Sequence, residues 1–119
     1  MQVERVKYII WAKDMDRAVR FYQEVFDATI IRKNDIIAEL QVAGAIIGIH
    51  SGGEGQKTWT GMSFQVADLF EASSLVKAAG GTVTREPEDT PEEPAHLVMC
   101  MDSENNEIMV TKARHRPAA

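Results

Sequence analysis

The sequence predicts an α+β domain built from two tandem β-α-β-β-β modules, and three observations lead there. Short strand-like and helix-like apolar patterns run once through a β-α-β-β-β order and then start again. Each helical pattern is opened by an aspartate, Asp14 and Asp68, a residue whose side chain accepts from the free N–H groups of a first helical turn. Asp14, Ala18, Phe21 and Val25 map onto Asp68, Ala72, Leu75 and Ala79 at a constant offset of 54, which also sets Lys7 on Gly61 and Trp11 on Gln65. The expected boundaries are a first module at about 1–52, a second at about 58–112 and a tail at 113–119. At 119 residues the whole is one domain.

Residues 3–12 are rich in Val, Ile, Tyr and Trp and alternate Val6, Tyr8 and Ile10 with Lys7, Ile9 and Trp11, a strand pattern. Met15, Ala18, Val19, Tyr22 and Phe26 then recur every three or four residues, the stripe of an amphipathic helix ending near Asp27. Strand-like runs at 29–32, 36–42 and 45–50 follow, separated by Asn34-Asp35 and Gly44. After the glycine-rich loop 51–57 the order repeats: a strand at 60–66, a helix from Asp68 through Ala79 stopped by Gly80-Gly81, and strands at 82–85, 96–101 and 107–112 with a turn at 102–106. Residues 86–94 hold five acidic residues and three prolines, which makes them a solvated loop or a lid over a neighbouring cleft.

Thirteen Lys and Arg against eighteen Asp and Glu give a net charge of -5, the wrong sign for nucleic acid or an anionic membrane. The longest apolar run is about seven residues, short of the roughly 20 that span a bilayer. The opening Met1-Gln2-Val3-Glu4-Arg5 has no apolar signal core, so the cytoplasm is the expected location. The single cysteine, Cys100, lies among Leu97, Val98, Met99 and Met101 and is expected to be a buried, inert thiol. Ser51-Gly-Gly-Glu-Gly follows a strand but opens no helix, so no nucleotide cofactor is indicated.

The run Asp14-Met-Asp-Arg-Ala-Val-Arg-Phe-Tyr, the helix end Lys77-Ala-Ala-Gly-Gly-Thr-Val and the turn Asp102-Ser-Glu-Asn-Asn resemble the vicinal oxygen chelate superfamily. That group holds glyoxalase I, bleomycin-resistance and fosfomycin-resistance proteins and extradiol dioxygenases. The resemblance implies two modules whose mixed sheets form a U-shaped cleft, with metal ligands on the first and last strands of each module. It also implies a homodimer. By position those four ligand places fall on Lys7, Gly48, Gly61 and Met109, none of which is a His, Glu or Asp.

If one sheet face packs on the helices, alternation assigns Val6, Tyr8, Ile10, Ile36, Ala38, Leu40, Ile47, Ile49, Met62, Phe64, Val66, Ile108 and Val110 to the core. The opposite face then carries the candidate ligand-binding residues Lys7, Trp11, Glu39, Gln41, His50, Ser63, Gln65, Glu107 and Met109, with Trp59 flanking it. Trp11 offers a flat surface for a planar ligand, and Lys7 and Glu39 are placed to form an ion pair. His96 and His115 are expected to be exposed. The expectation is a small-molecule-binding protein without metal, cofactor or catalytic residue. A metal-dependent glyoxalase-like lyase, isomerase or dioxygenase using His50 and Glu107 is the alternative, and a non-catalytic structural or regulatory subunit the second.

Overall fold

The structure is a computed structural model and describes residues 1–113; His115 and the tail from residue 114 lie outside the described residues. The elements are β1 (Lys7–Ala12), α1 (Met15–Phe26), β2 (Thr29–Lys33), β3 (Ile37–Val42), β4 (Ala45–Ser51), β5 (Thr58–Gln65), α2 (Leu69–Ala78), β6 (Thr82–Arg85), β7 (Leu97–Met101) and β8 (Asn106–Thr111). They form two four-stranded mixed sheets ordered β1-β4-β3-β2 and β5-β8-β7-β6. In each, the module's first strand runs parallel to its last and the other pairs are antiparallel.

The duplication extends to the backbone of the helix starts. Asp14 sits at φ -128, ψ 105 and accepts from Arg17 N, while Asp68 sits at φ -130, ψ 105 and accepts from Phe70 N and Glu71 N. Two caps of one geometry satisfy otherwise unpaired donors. α1 ends on Asp27 in the left-handed region at φ 54, a conformation that aspartate tolerates better than most residues.

Phe21, Tyr22, Leu40, Ile47, Ile49, Leu69, Val76, Val98, Ile108 and Val110 are fully buried between helices and sheets. Phe26 stacks flat on Phe64 of the second module, ring centroids 4.0 Å apart. Cys100 is buried as expected, and burial pushes its thiol up to about 12. Val6, Tyr8 and Ile36, expected in the core, are exposed. Val6 precedes the shorter β1, Ile36 lies in the bend ahead of β3, and Tyr8 is on an edge strand with no ladder beyond it. Among the described residues no helix is long and apolar enough to cross a membrane.

The modules are locked by the β7–β8 turn. Asp102, Glu104 and Asn106 are all buried. Glu104 Oε1 accepts from Lys13 N and Asp14 N at the start of α1, and its carboxylate holds the Arg17 side chain at 2.7 and 3.1 Å. Burial pushes the Glu104 carboxyl up, but the Arg17 guanidinium and the backbone N–H of Asp14 outweigh it and hold it low. Tyr22 Oη donates to Asp102 Oδ2 at 2.6 Å, and Asn106 Nδ2 donates to the Trp11 carbonyl at 3.0 Å. One five-residue turn thus finishes a helix, a core tyrosine and an edge strand of the other module.

Candidate functional site

The open face of the first sheet is laid out by its register. Trp11 and His50 share a row with Ile37, Ile9 and Gly48 share one with Glu39 and Arg32, and Lys7 and Ile46 share one with Gln41. The Trp11 ring leans on His50 with centroids 4.5 Å apart. His50 Nδ1 lies 2.8 Å from the Ser51 carbonyl, an oxygen that only accepts, so Nδ1 carries the proton. Gln41 is exposed at the β2 side.

Glu39 departs from the expectation of a solvent-facing cleft residue: it is 2% exposed. Lys7 Nζ lies 3.0 Å from its Oε2, Arg5 3.5 Å from the same oxygen, and Arg32 Nε bonds Oε1. The Arg32 and Lys7 hydrogen bonds hold its carboxyl down to about 2, so it stays charged at every physiological pH. Three long side chains close over one carboxylate.

On the second sheet Ser63, Met109 and Met99 lie in one row, and Ser63 Oγ is 3.2 Å from Thr111 Oγ1. Val98 and Cys100 point into the core, so Leu97, Met99 and Met101 face the same side as Met109. Glu107 pairs with Lys57 at 2.9 Å. The sequence reading omitted Leu97, Met99 and Met101, although the alternation of residues 97–101 carries the signal. It also omitted Arg5 and Arg32; the β2–β3 pairing that brings Arg32 to Glu39 follows from a turn at Asn34-Asp35.

β1 and β5 are edge strands with no ladder between them, and residues of both line two cavities. One of about 160 Å³ is bounded by Ile9, Trp11, Trp59 and Thr60. The other, about 810 Å³, is lined by Tyr8, Phe26, Ala43, Gly44, Gln65 and Val66 together with Ser63. The offset of 54 places Gln65 and Val66 where the first module has Trp11 and Ala12, the point the Asp102–Asn106 turn plugs. The first module's turn is only Ala43-Gly44 and has no carboxylate to reach across, so the matching place stays open. A third cavity, about 360 Å³, joins Trp11 to Gly52, Gly53, Gly55 and Glu104. Residues 86–94 line none of the three; Glu86 is tied to Lys77 and Ser73. His96, expected to be exposed, is half-buried and 3.5 Å from Glu93.

The residues at the four implied metal places do not fit a divalent ion. Lys7 is a protonated donor committed to Glu39. Gly48 lies under Ile9, whose Cδ1 would stand 2.5 Å from an added Cβ. Gly61 sits at φ 74 where the β5–β8 register breaks, so a side chain there would be strained. Met109 offers only a thioether, a soft ligand. Among the described residues no three His, Cys, Asp or Glu side chains gather in a metal-ligating group. His50 and Glu107 stand on different sheets with other partners.

The family model for the Glyoxalase/Bleomycin resistance protein/Dioxygenase superfamily matches residues 5–110. A curated relative, a probable lactoylglutathione lyase of Vibrio cholerae, is 24% identical over 120 residues, covering 86% of each chain. The fold is similar to that of a fosfomycin resistance protein of Listeria monocytogenes, at a TM-score of 0.78 and 19% identity over 99% of this chain and 97% of that one. It is also similar to a glyoxalase/bleomycin resistance protein/dioxygenase family enzyme of Burkholderia phytofirmans, at 0.74 and 20% identity over 91% of this chain and 97% of that one.

Proposed function

The chain belongs to the glyoxalase/bleomycin resistance protein/dioxygenase superfamily, and from that premise we propose that it is a metal-free binding protein holding a hydrophobic or aromatic small molecule in the cleft. The observation that carries the reading is the patch made by Ile9, Trp11 and Trp59, which are 50%, 50% and 57% exposed around a cavity at the seam of the two modules. Contiguous apolar surface of this kind costs solubility unless something covers it. We assign Lys7, Glu39, Gln41 and His50 of the first sheet and Ser63, Gln65, Glu107 and Met109 of the second to the proposed site; in support, His50 packs on the Trp11 ring, and Ser63 and Gln65 line the larger cavity. The larger seam cavity lies within the roughly 300–1,000 Å³ usual for small-molecule sites.

One observation favours the metal-dependent lyase reading, the name of the Vibrio cholerae relative; the donor chemistry at Lys7, Gly48, Gly61 and Met109 opposes it. Elemental analysis of the purified protein together with a thermal-shift screen of planar aromatic compounds, run with and without Zn²⁺, Ni²⁺ and Mn²⁺, separates the readings. Expected are no stoichiometric metal and aromatic hits that raise Tm by about 3–6 °C at tenfold their Kd, independent of added ions. One equivalent of metal per chain overturns the proposal in favour of an enzyme. A screen in which no compound stabilises the fold overturns it in favour of a structural subunit.

The proposal extends to a cytoplasmic homodimer in which a second copy covers part of the exposed sheet edges β1, β2, β5 and β6. Sedimentation at micromolar concentration is expected to show twice the 13.2 kDa chain mass. A monomer there would refute the dimer and leave each cleft to one chain.

A further inference from the structure

Charge around Glu39 is out of balance. Three cations, Arg5, Lys7 and Arg32, converge on its single carboxylate, while every other ion-paired carboxylate among the described residues holds one partner. One cation neutralises a carboxylate, and each further one adds repulsion between like charges. The surplus is two positive charges on the open face of the first sheet, in a chain whose net charge is -5. Arg5 and Arg32 are half exposed, so their guanidinium groups face solvent with donors to spare.

Resting on the reading of the cleft as an aromatic-ligand site, we propose that the ligand is an anion: a planar ring seated at Trp11 and His50, joined by a short apolar chain to a carboxylate or similar acidic group held by Arg5, Lys7 and Arg32. The register sets the dimensions. Trp11 on β1 and Glu39 on β3 are two strands and two residues apart, roughly 10–12 Å at about 4.8 Å per strand and 3.3 Å per residue. Between them Ile9 lies over Gly48, an apolar floor with no polar group to satisfy, which suits methylene groups. Glu39 then serves to hold the three cations in place and to keep the empty site from carrying their full repulsion.

The test pairs two fluorescent probes that differ only in charge, 1-pyrenebutyrate and 1-pyrenebutanol, titrated into the full chain. The carboxylate is expected to bind at least about tenfold tighter than the alcohol, with the ratio shrinking as salt is raised. The double variant Arg5→Gln/Arg32→Gln leaves the Lys7–Glu39 pair intact. It is expected to bring the ratio close to one while the alcohol binds as before, which also reports a folded face. A ratio near one in the parent, or a ratio that survives in the variant, overturns the anion proposal and leaves the aromatic site standing. Failure of both probes to bind overturns the aromatic site, and the anion proposal with it.

Discussion

Replacing Asp102 by alanine is expected to lower the unfolding free energy by about 3–5 kcal/mol, a large part of what a marginally stable domain has. Four donors converge on this buried carboxylate. Tyr22 Oη and Asn106 Nδ2 donate to Oδ2, and the backbone N–H groups of Glu104 and Asn106 donate to Oδ1. Burial raises the Asp102 carboxyl above its ordinary value even though these four bonds pull it down, so the network only partly offsets the cost of enclosing the charge. Burial and the adjacent Asp102 charge in turn raise the Tyr22 phenol well above its usual range, so that it stays a donor. Alanine leaves four buried donors facing a void, at about 1–3 kcal/mol for each one that water does not reach.

The same change releases the turn that carries Glu104 to the start of α1 and Asn106 to Trp11, so the modules lose their common fastening as well. Tyr22→Phe is the control. It removes one donor and leaves Oδ2 its bond from Asn106, at a cost of about 1 kcal/mol. Urea unfolding of the two variants checks the pair. A loss under about 1 kcal/mol for Asp102→Ala would show that packing, not this turn, joins the modules.

Trp11→Ala is expected to do the reverse, weakening binding while sparing the fold. The ring is half exposed and its stabilising neighbour is His50, a pairing worth about 0.5–1.5 kcal/mol. Its backbone carbonyl, which holds Asn106, survives the substitution. Stability should fall by about 1 kcal/mol, against the 3–5 kcal/mol typical of a buried tryptophan. Affinity for the neutral probe 1-pyrenebutanol should fall by about 1–3 kcal/mol, roughly 5- to 150-fold, because the ring supplies the flat contact area. Unchanged affinity, or a variant that unfolds in mild urea, would remove Trp11 from the site.

The order of elements, both helix caps, the turn at 102–106 and the burial of Cys100 were legible in the residues because they depend on neighbours one to four positions away. Alternation also assigned Lys7, Trp11, Glu39, His50 and Met109 to one side of their sheets, since a pleat has a period of two whatever lies beyond it. Exposure was not legible in this way. Tyr8 has the alternation of a core residue, yet it faces a gap because β1 has a partner on one edge only.

Glu39 reads as an open polar residue, yet Arg5, Lys7 and Arg32 enclose it, one of them from a neighbouring strand across a hairpin and one from the segment before β1. The turn at 102–106 was visible as a turn, but its role in closing α1 depends on contacts with residues about 90 positions away. By itself the sequence determined a duplicated β-α-β-β-β chain whose implied metal places hold no suitable ligand. Tertiary structure alone decided which edges meet, which carboxylates are enclosed and where the cavities open, because those depend on how two near-equal modules pack. That packing is asymmetric for a local reason: one module's turn is long and acidic, and the other's is Ala43-Gly44.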